Sequence, residues 1–314
     1  MKNLNNLFAS AHQVNVGLRV EVEGEYSFCA VKTDGTKRQL GKTHNIITNW
    51  GLNQLATQNA SNLLISCCLG TGTTPEDASQ SRLVAFSYYT NSHTTNVQTQ
   101  GSLANLECSY LRVFRFSPNI AGTFTEVGVG TQSSPTNGFV GSRALIRDDE
   151  GNPSSISVLA DEYLDVTYTF KIRIPNNAQQ TSGNFNIGAT SYSYVCKACE
   201  CASWYASGGN FSSSYAWGCN GYSGTLSANV DGYPTGNQVY LGPAFSLIEP
   251  YVNYSYNVKM KATIGLTNGN TYPIKSIWLN AGETRWQFEL NTPIVKNNTQ
   301  ILTLNFEFTW ARAT

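Results

Sequence analysis

A chain of 314 residues is long enough for two domains with cores of their own, and its charge is sparse and balanced, with 13% charged residues and 20 basic against 20 acidic side chains. No basic excess is available to neutralise phosphates, so nucleic-acid binding has no electrostatic footprint, and no apolar run approaches the roughly 20 residues that cross a bilayer. The N-terminal MKNLNNLFASAHQV lacks the continuous apolar core of a secretory signal, so the expected route is synthesis in a cytoplasm.

Residues 14–32 alternate, with Val14, Val16, Leu18, Val20 and Val22 on one face before a break at Gly24 and then Tyr26, Phe28 and Ala30. With the turn Thr33-Asp34-Gly35-Thr36, this predicts an N-terminal β-hairpin arm over 1–44. In HNIITNWGLNQLATQ, Thr48 or Asn49 caps a short helix whose apolar side carries Trp50, Leu52, Leu55 and Ala56. The segment LLISCCLGTGTTPEDASQSRL reads as an apolar strand and a Gly-Thr loop. GTGTTP is no phosphate loop, because no Gly-Lys-Ser/Thr follows it.

LECSYLRVFRFSPNIAGTFTEVGVG supplies two further strands. Asp149-Glu150-Gly151-Asn152 is a turn rather than a calcium loop, since the spaced oxygen ligands are missing. Leu164, Val166, Tyr168, Phe170, Ile172 and Ile174 then share one face and Asp165, Thr167, Thr169, Lys171 and Arg173 the other, the period of a half-buried strand. The same alternation returns at a constant offset as Leu302, Leu304, Phe306, Phe308 and Trp310, with Ile156 answered by Ile294 and Arg147 by Arg285. Such a shared register points to two related β-domains. The expected fold is therefore all-β: two antiparallel β-sandwich-like domains, duplicated, with the N-terminal hairpin and one short helix. The first domain is placed at 45–178 and the second at 179–314, the latter carrying an aromatic, cysteine-containing loop insertion over about 190–242.

The strings IITNWGLNQLA, LGTGTTP, FTEVGVG, SRALIRDDEGNPSSISVLADEYLDVTY and PIVKNNTQILTLNFEFTWAR together resemble the tail proteins of tailed bacteriophages, over about Asn45 to Arg312. The aromatic region fits the pattern least. The resemblance implies a non-enzymatic virion structural protein, a tail-fibre or tail-tip (baseplate) component that takes part in host attachment. Export by lysis would need no signal peptide. Implied partners are other copies of the chain, as a trimer if fibrous, other virion proteins, and a host cell-surface glycan or protein. A capsid decoration protein on the head and a carbohydrate-binding module are the alternative readings.

Of the eight cysteines, Cys196, Cys199 and Cys201 cluster in CKACEC, with Cys219 further on. Four thiolates would suit a tetrahedral zinc, although no His lies nearby; disulfides from Cys196 or Cys199 to Cys219, or free thiols, are the other readings. Asp161, Glu162 and Asp165 lie together, but a solvated strand edge explains them better than the facing carboxylates of a glycosidase. From Tyr192 to Tyr240, aromatic rings are scattered among Ser, Gly and Asn without clean periodicity. Rigid amphipathic rings among small polar residues make a recognition surface, and Trp204, Tyr205, Phe211, Tyr215, Trp217 and Tyr222 are its candidate contacts. An inward-packed sub-core is the competing reading of the same rings.

Overall fold

The computed structural model describes residues 15–58, 60–102, 106–187, 190–201, 210–230, 232–282 and 284–313. The first half opens with strands β1 (Asn15–Lys32), β2 (Lys37–His44) and β3 (Ile46–Ile47), then helix α1 (Asn49–Gln54) and the single turn α2 (Ala60–Leu63). It continues with β4 (Ser66–Gly70), β5 (Phe86–Thr90), β6 (His93–Ser102), β7 (Glu107–Phe116) and β8 (Gly122–Phe124). β9 (Glu126–Gly130), β10 (Val140–Leu145), β11 (Ile156–Val158) and β12 (Glu162–Arg173) complete it. The second half holds β13 (Gln180–Ile187), β14 (Thr190–Cys201), β15 (Trp217–Tyr222), β16 (Gln238–Val239) and β17 (Ala244–Leu247). It ends with β18 (Asn257–Ile264), β19 (Ile274–Ala281), β20 (Thr284–Ile294) and β21 (Leu302–Arg312).

The architecture is all-β. An eight-stranded sheet runs β17-β18-β21-β1-β12-β7-β6, with β2 also paired to β1. A five-stranded sheet, β3-β10-β9-β4-β5, faces its β12 side. A six-stranded sheet, β13-β14-β20-β19-β15-β16, faces its β21 side. The facing is set by alternation: in β12 the buried members are Leu164, Val166, Tyr168, Phe170 and Ile172, and in β21 they are Leu302, Leu304, Phe306, Phe308 and Trp310. Each such side chain contributes roughly 1.5–3 kcal/mol when taken out of water, before chain entropy is subtracted. Ile47, Val129 and Ser142 close over Tyr168 and Phe170 in the first layer pair, and Tyr194, Ile277 and Phe288 close over Val16 and Phe306 in the second.

One pairing scheme serves both halves. β3-β10-β9-β4-β5 is matched by β14-β20-β19-β15-β16, and β12-β7-β6 by β21-β18-β17. β12 and β21, whose sequences repeat, occupy equivalent places on either side of β1. The connectivity is thus duplicated, and the sequence offset holds for β12 and β21, but Arg285 and Ile294 both lie in β20 whereas Arg147 follows β10 and Ile156 lies in β11.

β1 is not a separate arm. It pairs antiparallel with β12 through Glu21–Lys32 and parallel with β21 through Asn15–Val22, the one parallel pairing among the described strands. Its buried side chains divide between the two cores: Val16, Leu18, Val20 and Val22 lie beside β21, and Tyr26, Phe28 and Ala30 beside β12. Hairpin chemistry is legible in Thr33–Thr36, but the eighteen-residue strand before it reaches past β2 and joins the halves. At Gly24 a Cβ would sit 2.5 Å from the Tyr168 hydroxyl, so a glycine is needed where the core tyrosines crowd the strand.

Helix α1 starts as its sequence predicts. The Thr48 hydroxyl accepts the Gly51 N–H at 3.0 Å and donates to the Val140 carbonyl at 2.8 Å, which ties the cap to β10. Leu52, Leu55 and Ala56 are buried, and Trp50 stacks on Phe139 at 5.4 Å. The Trp310 indole N–H donates to the Leu52 carbonyl at 2.8 Å, so the helix also anchors the end of β21.

The Gly-Thr loop is held by a buried ion pair. Glu126 and Arg143, both wholly buried, meet at 2.8 Å. Glu126 accepts the N–H groups of Gly72 at 3.1 Å and Ala85 at 2.7 Å, while Arg143 donates to the Thr74 carbonyl at 2.9 Å and Gln80 at 2.7 Å. Every donor in this knot points inward at the protein's own groups.

Candidate recognition surface

The cysteine cluster is dispersed by the sheet. β14, which bears Cys196 and Cys199, is separated from β15, which bears Cys219, by β20 and β19. Three steps of about 4.8 Å place them roughly 14 Å apart, about twice the Cα separation that a disulfide tolerates. Cys196 lies opposite Phe288 and Cys219 opposite Leu279, both on the core side, whereas Cys199 sits at the bulge between Ala198 and Glu200. The disulfide and four-thiolate zinc readings therefore both fail for Cys219, and the described thiols at Cys196, Cys199 and Cys219 are free. No group of three or more metal-ligating side chains converges among the described residues. Burial pushes the Cys199 and Cys219 thiols up to about 12, which keeps them protonated and unreactive near neutrality. The Cys201 side chain, with Trp204 and Tyr205, lies outside the described residues.

The aromatic candidates separate into core and surface. Phe211 is buried against Phe308 at 4.8 Å and Trp310 at 5.0 Å. Trp217 is buried beside Phe306 and Phe308, with its indole N–H donated to the Phe211 carbonyl at 3.1 Å. These two are corrections to the expected recognition set, and to the expected loop insertion over about 190–242, which holds β14, β15 and β16 of the six-stranded sheet: the broad aromatic face of β21 needs partners, and this stretch supplies them. Tyr215, by contrast, is 89% exposed.

Tyr222 points to the outer face of the six-stranded sheet but is itself only 8% exposed, a correction to its expected role as a contact: it supports a strip of rings there. Because Cys219, Leu279 and Trp286 point inward, the alternating positions Tyr222, Trp278 and Arg285 face outward from β15, β19 and β20. Tyr233, from the β15–β16 loop, packs between them, 6.3 Å from Tyr222 and 5.3 Å from Trp278, and is itself 56% exposed. The Arg285 guanidinium lies 5.5 Å from the Trp278 ring centroid and is ion-paired with Glu200. Burial, and then the neighbouring Tyr233, raise the Tyr222 phenol above its ordinary value, so it stays a protonated hydrogen-bond donor.

The loop that presents Tyr233 is seated before any ligand arrives. Its stem closes by Gly224 N–H to the Thr235 carbonyl at 3.0 Å and Thr235 N–H to the Thr225 carbonyl at 2.8 Å. The Gln287 side chain accepts the Ser227 N–H at 2.8 Å, and Glu289 accepts the Leu226 N–H at 3.2 Å. Beyond the loop, where β14 parts from β20, an open groove of about 420 Å³ is lined by Ser182, Asn184, Ser193, Val195, Glu289 and Asn291. The surface thus offers ring faces beside hydroxyls, amides and the carboxylates of Glu200 and Glu289, a set suited to non-covalent recognition.

The other candidates are absorbed by structure. Arg115 binds Asp165 through two hydrogen bonds of 2.7 and 2.6 Å, and Arg38 binds Glu162 at 2.6 Å, so these carboxylates are committed to ion pairs. Asp148 accepts the N–H groups of Glu150 and Asn152, which closes the expected turn. Trp278, Arg285 and Glu200 were not legible as site residues, because only strand pairing brings them beside Tyr222; the sole sequence signal was the outward phase of alternation in SIWLNAGETRWQFEL. Compared with known proteins, the chain matches no family model, no curated protein and no solved structure.

Proposed function

We propose that this all-β protein is a non-enzymatic structural component of a tailed-phage particle, located at the tail tip or fibre, which works as a homo-oligomer in host attachment. The resemblance of its turn-and-strand strings to phage tail proteins supports the particle assignment. The observation that carries attachment is the exposed Tyr233 ring, presented on a hydrogen-bonded loop and backed by the half-buried Trp278 and the buried Tyr222. Pre-organised aromatic contacts bind with little ordering cost. The partner is a glycan or protein on the host surface.

The test has two parts. Immunogold labelling of intact particles should mark the distal tail; label on the head would move the protein to capsid decoration. Particles carrying Tyr233→Ala should then adsorb roughly tenfold less well, the loss expected for one aromatic contact of more than about 1 kcal/mol. Normal adsorption by Tyr233→Ala particles with a full complement of the protein would sink the strip as the attachment surface.

A further inference from the structure

Among the described strands the three large sheets end at six strands, and β2, paired only to β1, leaves a further edge that carries Lys37, Arg38 and Lys42. β3 and β16 expose two residues each, β17 four and β5 five. β6 is ten residues long, but its pairing with β7 shifts register twice, and such bulges blunt an edge against further pairing. β13 differs from all of these. Its eight residues, QTSGNFNI, pair with β14 without a register shift, and no other described strand takes its outer edge.

Three further observations concern the same strand. β13 has no counterpart in the duplicated scheme: the five-strand order common to both halves ends at β3 in one and at β14 in the other, and β13 is added beyond it. Its sequence contains no Lys, Arg, Asp, Glu or Pro, the residues with which proteins guard an open edge, and Gln180, Ser182 and Asn184 are exposed. It is also held in place. At Gly183 a Cβ would lie 2.6 Å from the Tyr194 hydroxyl, so the glycine lets that ring cross the strand, while the ring also packs 6.2 Å from Phe288.

We propose that the outer edge of β13 pairs with the same edge of a second copy, antiparallel about a two-fold axis, and continues the two six-stranded sheets into one. A second copy fits because the edge is free of charge. Antiparallel self-pairing opposes no like charges, and a two-fold contact closes on itself instead of propagating. The inference deepens the homo-oligomeric part of the proposed function and does not depend on what the assembly attaches to.

Sedimentation equilibrium on the full chain is the test. The wild type should run at twice the chain mass of 34.3 kDa. Ser182→Lys/Asn184→Lys and Ser182→Glu/Asn184→Glu place like charges on the exposed positions, so each should run as a folded monomer with its dissociation constant raised at least about a hundredfold. An equimolar mixture of the two should return to the double mass. A monomeric wild type, a mass of three chains, a folded lysine variant that stays dimeric, or a mixture that stays monomeric would each overturn the proposal. If a double variant misfolds, the single change Ser182→Lys is read in the same way. Adsorption that fails in Tyr233→Ala particles while this dimer persists separates the attachment reading from the interface.

Discussion

The wholly buried Glu126–Arg143 pair shows how far a single charge is constrained here. Glu126 interrupts the apolar string FTEVGVG, and Arg143 the string SRALI, so each is visible in sequence as a charge where a strand wants none. Their bond is tertiary. Removing one member strands the other without solvent, which costs about 3–5 kcal/mol where a buried pair is broken. Arg143→Ala should therefore lose about that much in denaturant unfolding while keeping a β-type circular dichroism spectrum. A loss below about 1 kcal/mol would mean that the Gly-Thr loop does not rely on the pair. The same scale separates Tyr222 from Trp217. Both are aromatic residues of one short strand, but the odd-numbered phase faces β21 and the even-numbered phase faces out. A run without clean periodicity hides that phase.

Among the elements, β1 has the largest consequences. Its pairing to β12 and to β21 makes it the only described strand shared by both cores. Deleting residues 1–32 should expose the edges of both partners and leave a chain that neither resists proteolysis nor melts cooperatively. A soluble, cooperatively melting 33–314 fragment would restore the picture of a detachable arm. The alternation of Val16, Leu18, Val20 and Val22 was plain in sequence; its role was not, because a strand's period reports burial and says nothing about which neighbours bury it. α1 was more legible: a Thr cap and its apolar side are local features, and the helix forms where they place it.

For the whole molecule, one contiguous set of buried side chains runs from Val16 through both sandwiches to Trp310. A shared sheet and a shared core predict a single unfolding transition, with calorimetric and van't Hoff enthalpies in agreement. Two resolved transitions in scanning calorimetry would show that the halves around β1 are energetically separate. By itself the sequence determined the all-β class, the alternation and repetition of β12 and β21, the cap of α1 and the turn at Asp148, because each rests on neighbours within a few residues. Tertiary structure alone decided that β1 joins the halves, that Phe211 and Trp217 turn inward, that Cys219 stands three strands from its supposed partners, and that Tyr222, Tyr233 and Trp278 meet on one face. Those outcomes depend on strand order, and strand order is set by long-range pairing that no local period encodes.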